Sequence, residues 1–348
     1  MMIKPPKLNH GDKIAAVSLS WGGPSVFPHR YRAGVEQLEA AFDLTVVEMP
    51  HTLKDAGWLA QNPAARADDL MQAFSDPTIK GIIATIGGED SIRLFPFIDL
   101  DVIRSNPKIF LGYSDTTMSH MFCYKAGLVS FYGPTIMAGF GENGGLLHYM
   151  ATSVQRTLFQ ADPIGEIKPN VDGWTEEHLE WGDLANQERK RALSPCSGWT
   201  YLQGKGTRQG RLLGGCFEAM DWIRGTELWP KSSHWQDAIF FLETSEEAPL
   251  PRAVKYFFRS LAAKGVLKQL SGILLGRPAG HIPTEMFAEY DEAILQIVRE
   301  EEGLNELPII SNMDFGHTDP MFILPYGLMA EIDYDAKTFS ILENAVIN

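Results

Sequence analysis

The chain has 348 residues and carries 44 acidic side chains against 30 lysines and arginines, a formal charge of −14. That balance excludes a protein that coats a nucleic-acid polymer, because no broad basic face can form to neutralise phosphates. Apolar residues at 45% and charged residues at 21% are ordinary globular usage, which excludes a disordered chain, and the length suffices for about two domains.

In chain order, the first half alternates strand-like and helix-like stretches. Lys13 to Ser18 reads as a strand closing on the turn Trp21-Gly22-Gly23-Pro24, and Tyr31 to Phe42 carries apolar residues at helical spacing. Leu44 to Glu48 returns as a strand; a helix from Ala64 to Phe74, a strand at Gly81 to Ile86, a short helix from Ser91 and a strand at Lys108 to Leu111 follow. This alternation predicts βα units in a doubly wound, Rossmann-like α/β domain over residues 1–165.

From Gly165 to Lys205 the periodicity dissolves, and Trp174, Trp181 and Trp199 stand among polar and charged residues. Residues 166–205 are expected to form an interdomain loop that folds over a site, since a plain linker would not expose three tryptophans. Beyond it, strands are predicted at Gly210 to Leu213, Ala238 to Glu243, Gly272 to Leu275, Ile309 to Ser311, Leu328 to Asp333 and Thr338 to Leu342. With helices at Arg252 to Lys264 and Glu285 to Glu302, residues 206–348 read as a smaller β-rich domain with flanking helices.

The longest apolar runs are strand-sized, far short of the ~20 residues of a membrane-spanning helix. The opening Met-Met-Ile-Lys-Pro-Pro-Lys lacks the apolar core of a secretory signal, so a cytoplasmic protein without membrane contact is expected. Cys123, Cys196 and Cys216 are widely spaced and fit reduced thiols. The nine histidines form no short paired spacing, and no metal is expected.

Chemistry concentrates at a few strand ends. Gly112-Tyr113-Ser114-Asp115-Thr116-Thr117 joins an apolar strand to an amphipathic helix closed by Gly127, the strand, turn and helix setting of an exposed nucleophile, without the second glycine of the G-x-S-x-G pattern. The same Ser114 or Asp115 also suits a helix cap. A serine nucleophile needs a base and a group that orients it. His317, in the loop Phe315-Gly-His-Thr-Asp-Pro, and Glu243, ending an apolar strand, offer both; a turn histidine and a surface carboxylate are the plainer alternatives. Gly87-Gly88 ends another strand, where its N–H groups either bind an oxyanion or merely turn the chain.

Ile86-Gly87-Gly88, Gly112 to Thr117, Phe131-Tyr132-Gly133-Pro134, Gly214-Gly215, Phe241-Leu242-Glu243 and His317-Thr318-Asp319-Pro320-Met321 together resemble one serine peptidase family, in order and over nearly the whole chain. That family comprises the LD-carboxypeptidases and the microcin C self-immunity peptidases. The resemblance implies a glutamine-amidotransferase-like N-terminal domain carrying the nucleophile Ser114, with the base His317 and its partner Glu243 on the C-terminal domain. It further implies an oxyanion hole from the Gly88 and Asp115 N–H groups, substrate contact at Gly87, a homodimer, and no cofactor.

The segment Trp174 to Trp181 resembles a tryptophan-bearing loop of the immunity branch, which places Trp181 as a base-stacking residue; its alternative role is to anchor the loop on the core. The substrate expected first is an aminoacyl-nucleotide, such as an aspartyl conjugate; a murein tetrapeptide is the second. A non-catalytic module that binds a nucleotide or small peptide is the rival of another class. Cys216, Gly316 and Asp319 depart from the immunity pattern of Asn, Ser and His, and are expected on the substrate side.

Overall fold

A computed structural model describes residues 2–348. Fourteen strands appear among them: β1 (Lys13–Val17), β2 (Thr45–Glu48), β3 (Ile79–Ala84), β4 (Ile109–Gly112), β5 (Phe131–Tyr132), β6 (Gly165–Ile167), β7 (Thr200–Gln203), β8 (Thr207–Cys216), β9 (Ala238–Glu243), β10 (Gly272–Gly276), β11 (Ile309–Met313), β12 (Leu324–Pro325), β13 (Met329–Asp333) and β14 (Thr338–Ile341). They form two sheets, of six strands in the order β12-β5-β4-β3-β1-β2 and of eight in the order β6-β14-β13-β8-β9-β10-β11-β7.

In the first sheet all pairs are parallel except β12 against β5. In the second, β8 to β11 form a parallel centre flanked by antiparallel strands on both sides. Strands β4, β9 and β10 are buried at every residue, as expected of central parallel strands covered on both faces by helices.

The predicted elements of the first half are present, with ends shifted by at most three residues. Prolines set several helix starts: Pro28, Pro63 and Pro251 each occupy the first turn, where a missing N–H costs nothing. The sequence did not mark the helix His148–Leu158, which opens without a side-chain cap. The helix expected over Glu285 to Glu302 runs as Phe287–Leu295 and continues through a wider π turn over Gln296–Glu301.

The sheet of the second half has eight strands against six in the first, and one expectation about this half needs correction. The segment expected to be loop throughout also supplies both edges of that sheet, β6 and β7. These edge strands are three and four residues long, too short to show a period of two. Conversely, β12 leaves the second half to pair with β5, so the two sheets are stitched together by the chain itself.

An aromatic seam joins them. Tyr132 lies 5.5 Å from Phe241, Phe241 5.1 Å from Tyr326, and Tyr326 stacks on His120 at 4.7 Å, all four residues being buried. Gly214 in β8 permits the close approach of β9. A Cβ at that position would stand 1.7 Å from the Phe241 carbonyl oxygen, a backbone atom that cannot step aside. Gly214→Ala is therefore expected to destabilise the fold by about 3 kcal/mol or more, read from the midpoint of urea unfolding; a loss below about 1 kcal/mol would contradict this packing.

Candidate active site

Strand β4 ends at Gly112, and the chain turns through Ser114 at φ 64°, a left-handed conformation that costs a non-glycine residue about 1–3 kcal/mol. The Ser114 N–H donates to the Tyr132 hydroxyl at 3.2 Å. Neither Ser114 nor Asp115 caps the helix Thr117–Ala126 that follows, which removes the capping alternative.

The Asp115 carboxylate reaches sideways instead. Its Oδ2 accepts the Asp90 and Ser91 N–H groups at 3.1 and 2.8 Å, while the Ser91 hydroxyl donates to the Asp115 carbonyl at 2.9 Å. Burial raises the pKa of this carboxyl and the hydrogen bonds oppose the rise. The Gly87-Gly88 turn is thereby tied to the Ser114 turn. The approach requires glycine at position 87, where a Cβ would lie 2.8 Å from Ser114 Cβ and 2.9 Å from its Oγ. Asp115 stands in the first turn of a short helix, where a backbone N–H has no partner inside the helix.

From the second sheet, β9 delivers Glu243, only 2% exposed and so no surface carboxylate. Its Oε1 accepts the Tyr132 hydroxyl and its Oε2 lies 2.7 Å from His317 Nδ1. Gly316, at φ 98°, makes this contact possible, because a Cβ there would stand 2.6 Å from Glu243 Oε2. Gly316 thus packs behind the pair instead of facing substrate. The Tyr113 ring meets the imidazole edge-on at 4.7 Å, bringing His317 beside the Ser114 turn.

His317 Nε2 lies 3.2 Å from Glu246 Oε2. Ser114 Oγ makes no hydrogen bond among the described residues, although Ser114 and His317 line the same cleft. Burial alone would lower the pKa of His317, but the charge and hydrogen bond of Glu243 and the charge of Glu246 outweigh it and raise it to about 9.

That cleft encloses about 720 Å³. Trp181 lines it, with Phe27 edge-on at 5.8 Å and the Arg30 guanidinium 4.8 Å from its ring centroid. It therefore anchors the segment and faces the cleft at once. Trp174 and Trp199 are structural: the first lies 4.7 Å from the Arg277 guanidinium, and the second donates to Asp314 at 2.7 Å. Arg191 of the same segment pairs with Glu142 and, at 2.7 Å, with Asp319, pinning segment, first half and His317 loop together.

Cys216, Glu243 and His317 offer ligand atoms within 4.8 Å of one another, close enough to consider a metal. The donor set fits poorly. Both Glu243 oxygens are already engaged, and the Cys216 thiol donates to Glu218 at 3.0 Å, with burial and the flanking carboxylates raising its pKa.

Sequence reasoning missed Tyr132 as the bridge between Ser114 and Glu243, and Glu246 as the partner of Nε2. Tyr132 stood in the family-like motif Phe131-Tyr132-Gly133-Pro134, a signal that marked the residue without giving its contact. Arg30 had no signal, since its contact with Trp181 spans 151 positions that only the fold closes.

The matching family models carry the descriptions LD-carboxypeptidase N-terminal domain, over residues 14–133, and LD-carboxypeptidase C-terminal domain, over residues 209–332. The chain belongs to the LD-carboxypeptidase family, and it is a hydrolase of the serine carboxypeptidase class. A Vibrio cholerae protein named as a carboxypeptidase is 30% identical over 98% of both chains, and the Escherichia coli microcin self-immunity protein MccF is 29% identical over 96% of this chain and 94% of its own.

Among solved structures, an MccF-like protein from Streptococcus pneumoniae in complex with AMP matches with a TM-score of 0.86 and 32% identity, covering 96% of this chain and 99% of its own. MccF itself has been solved with aspartyl sulfamoyl adenosine and with glutamyl sulfamoyl guanosine, and a tryptophan-to-phenylalanine variant of it with adenosine monophosphate. No helix among the described residues is long and apolar enough to cross a membrane.

Anions at both ring nitrogens favour the imidazolium, so the ligand-free protein should hold the His317 proton to about pH 9. Glu246→Gln removes one of those anions and should move the midpoint to lower pH, and nitrogen-15 NMR of the imidazole reads both. An unchanged midpoint in Glu246→Gln would show that Glu246 does not face Nε2 in solution.

Proposed function

We propose that the protein hydrolyses the amide joining an aminoacyl residue to a nucleotide-like group, through an acyl-enzyme on Ser114. The observation that carries the reading is the pairing of buried Glu243 with His317, which faces the cleft into which the strained Ser114 turn also opens. Glu243 fixes the imidazole through Nδ1 and leaves Nε2 for the serine proton once Glu246, whose side chain is 74% exposed, swings away.

Ser114 Oγ attacks the carbonyl and His317 takes its proton. The oxyanion forms against the Gly88 and Asp115 N–H groups; His317 protonates the leaving nitrogen, and water releases the acyl group by the same route. Gly87 gives the acyl carbon room beside Oγ. Because His317 must be neutral to act, kcat/KM is expected to rise as pH rises toward about 9.

Trp181 and Arg30 supply the nucleotide side, since stacking a base on an indole is worth about 1–3 kcal/mol. The AMP complex of the MccF-like relative and the adenosine monophosphate complex of the tryptophan variant support this assignment. Three free cysteines fit the cytoplasm, and a homodimer follows the family reading.

Wild type and Ser114→Ala would be compared on aspartyl and alanyl sulfamoyl adenosine and on murein tetrapeptide. Cleavage of the sulfamoyl conjugates, reduced at least ~10³-fold in the variant, is expected. Cleavage of the tetrapeptide alone would make the enzyme a cell-wall carboxypeptidase and leave Trp181 structural, and activity retained in Ser114→Ala would remove the nucleophile. Chelation with EDTA is expected to leave the rate unchanged, because the Cys216 thiol is held as a donor to Glu218.

A further inference from the structure

Ser114 stands between two cavities. Besides the cleft lined by Trp181, a second pocket of about 510 Å³ opens on its other side and shares Trp21, Gly88, Ser114 and Glu246 with the first. An amide substrate attacked at Ser114 must place its leaving group in one and its acyl side chain in the other. The larger cleft holds the aromatic and guanidinium surface suited to a base, so the acyl side chain falls to the smaller pocket.

The lining of that smaller pocket is one-sided in charge. Glu89, Glu218, Glu246 and Glu247 line it, and no lysine, arginine or histidine does. Among the described residues Glu89, Glu218 and Glu247 form no ion pair; Glu218 is bound only by the Ser245 and Cys216 groups, the Ser245 hydroxyl at 2.8 Å. Asp90, also in the lining, is already neutralised by Arg66 at 3.1 Å and Arg93 at 3.2 Å.

Asp115 adds a sixth carboxyl to the lining, its Oδ1 buried and without a hydrogen-bond partner. A further feature points to a cation as the occupant. Trp21 and Trp222, 37% and 43% exposed, put indoles on the wall, a surface that takes an aliphatic stem and a cationic head equally well. An acidic acyl side chain would meet carboxylates with no counter-charge, and like charges in a half-enclosed site repel strongly.

Resting on the function proposed above, we infer that the second pocket selects an acyl residue whose side chain carries an ammonium or guanidinium group. This is the opposite of the aspartyl and glutamyl groups in the complexes of MccF, and it replaces the aspartyl conjugate expected from the sequence. Hydrolysis itself is unchanged: the acyl–nitrogen bond breaks, water supplies the hydroxyl of the released amino acid, and its proton goes to the leaving nitrogen.

The test compares kcat/KM on lysyl, alanyl and aspartyl sulfamoyl adenosine. All three carry the same α-ammonium and leaving group, so the comparison isolates the side chain. Lysyl is expected to exceed alanyl by about tenfold or more and aspartyl by roughly 100-fold, and the Glu218→Gln, Glu247→Gln double variant should lower the lysyl-to-alanyl ratio by about tenfold. Equal rates on lysyl and alanyl, or a preference for aspartyl, would overturn the inference while leaving the amide hydrolase intact. Cleavage of none of the three by wild type would instead bring down the proposed function, and the inference with it. The wild-type ratios decide even where the double variant does not fold.

Discussion

A single buried carboxylate holds the two halves of this molecule in working relation. Glu243 ends β9 of the second sheet, yet one oxygen accepts from Tyr132 of the first and the other from His317 of its own half. Taking a carboxylate out of water is costly unless its lone pairs are met, so the seam between the sheets must close correctly for the charge to be tolerated. The aromatic seam of Tyr132, Phe241, Tyr326 and His120 surrounds this point. His120 shows how complete the burial is: burial moves its pKa down to about 3, and its nitrogens meet only Ser130 and the Gly112 carbonyl.

Around that carboxylate the site is built mostly from backbone. The serine turn, the glycine turn and the histidine loop lie within contact of each other because positions 87 and 316 have no side chain to hold them apart. Asp115 then locks two of the three together through Asp90 and Ser91. Its role is a tie between loops, which explains why the residue after Ser114 is a buried acid when local chemistry would permit any helix-opening residue.

The segment between the halves serves two purposes. Its ends are edge strands of the second sheet, and its middle carries Trp181 and Arg191 onto the cleft. Arg191 connects Glu142 of the first half with Asp319 beside His317, so the wall of the cleft is bound to both of the elements whose spacing it covers. Asp319 thus has a structural partner of its own.

Much of this was written in the sequence. Apolar runs such as Ala238 to Glu243 and the alternation of strands with helices fixed the α/β class, because strands buried on both faces need continuous hydrophobicity and the helices between them need a 3.6-residue period. Ser114, Glu243 and His317 were legible as residues at strand ends and turns. Beyond reach were the short edge strands β6 and β7, the return of β12 to the first sheet, and the pairing of Arg30 with Trp181. These depend on which distant segments meet, and a local pattern of three or four residues holds no information about that. Tertiary structure alone decided that Ser114 opens onto two cavities, one lined by arginines as well as carboxylates and the other by carboxylates without a lysine, arginine or histidine, because a pocket's lining is drawn from loops that the chain order keeps far apart.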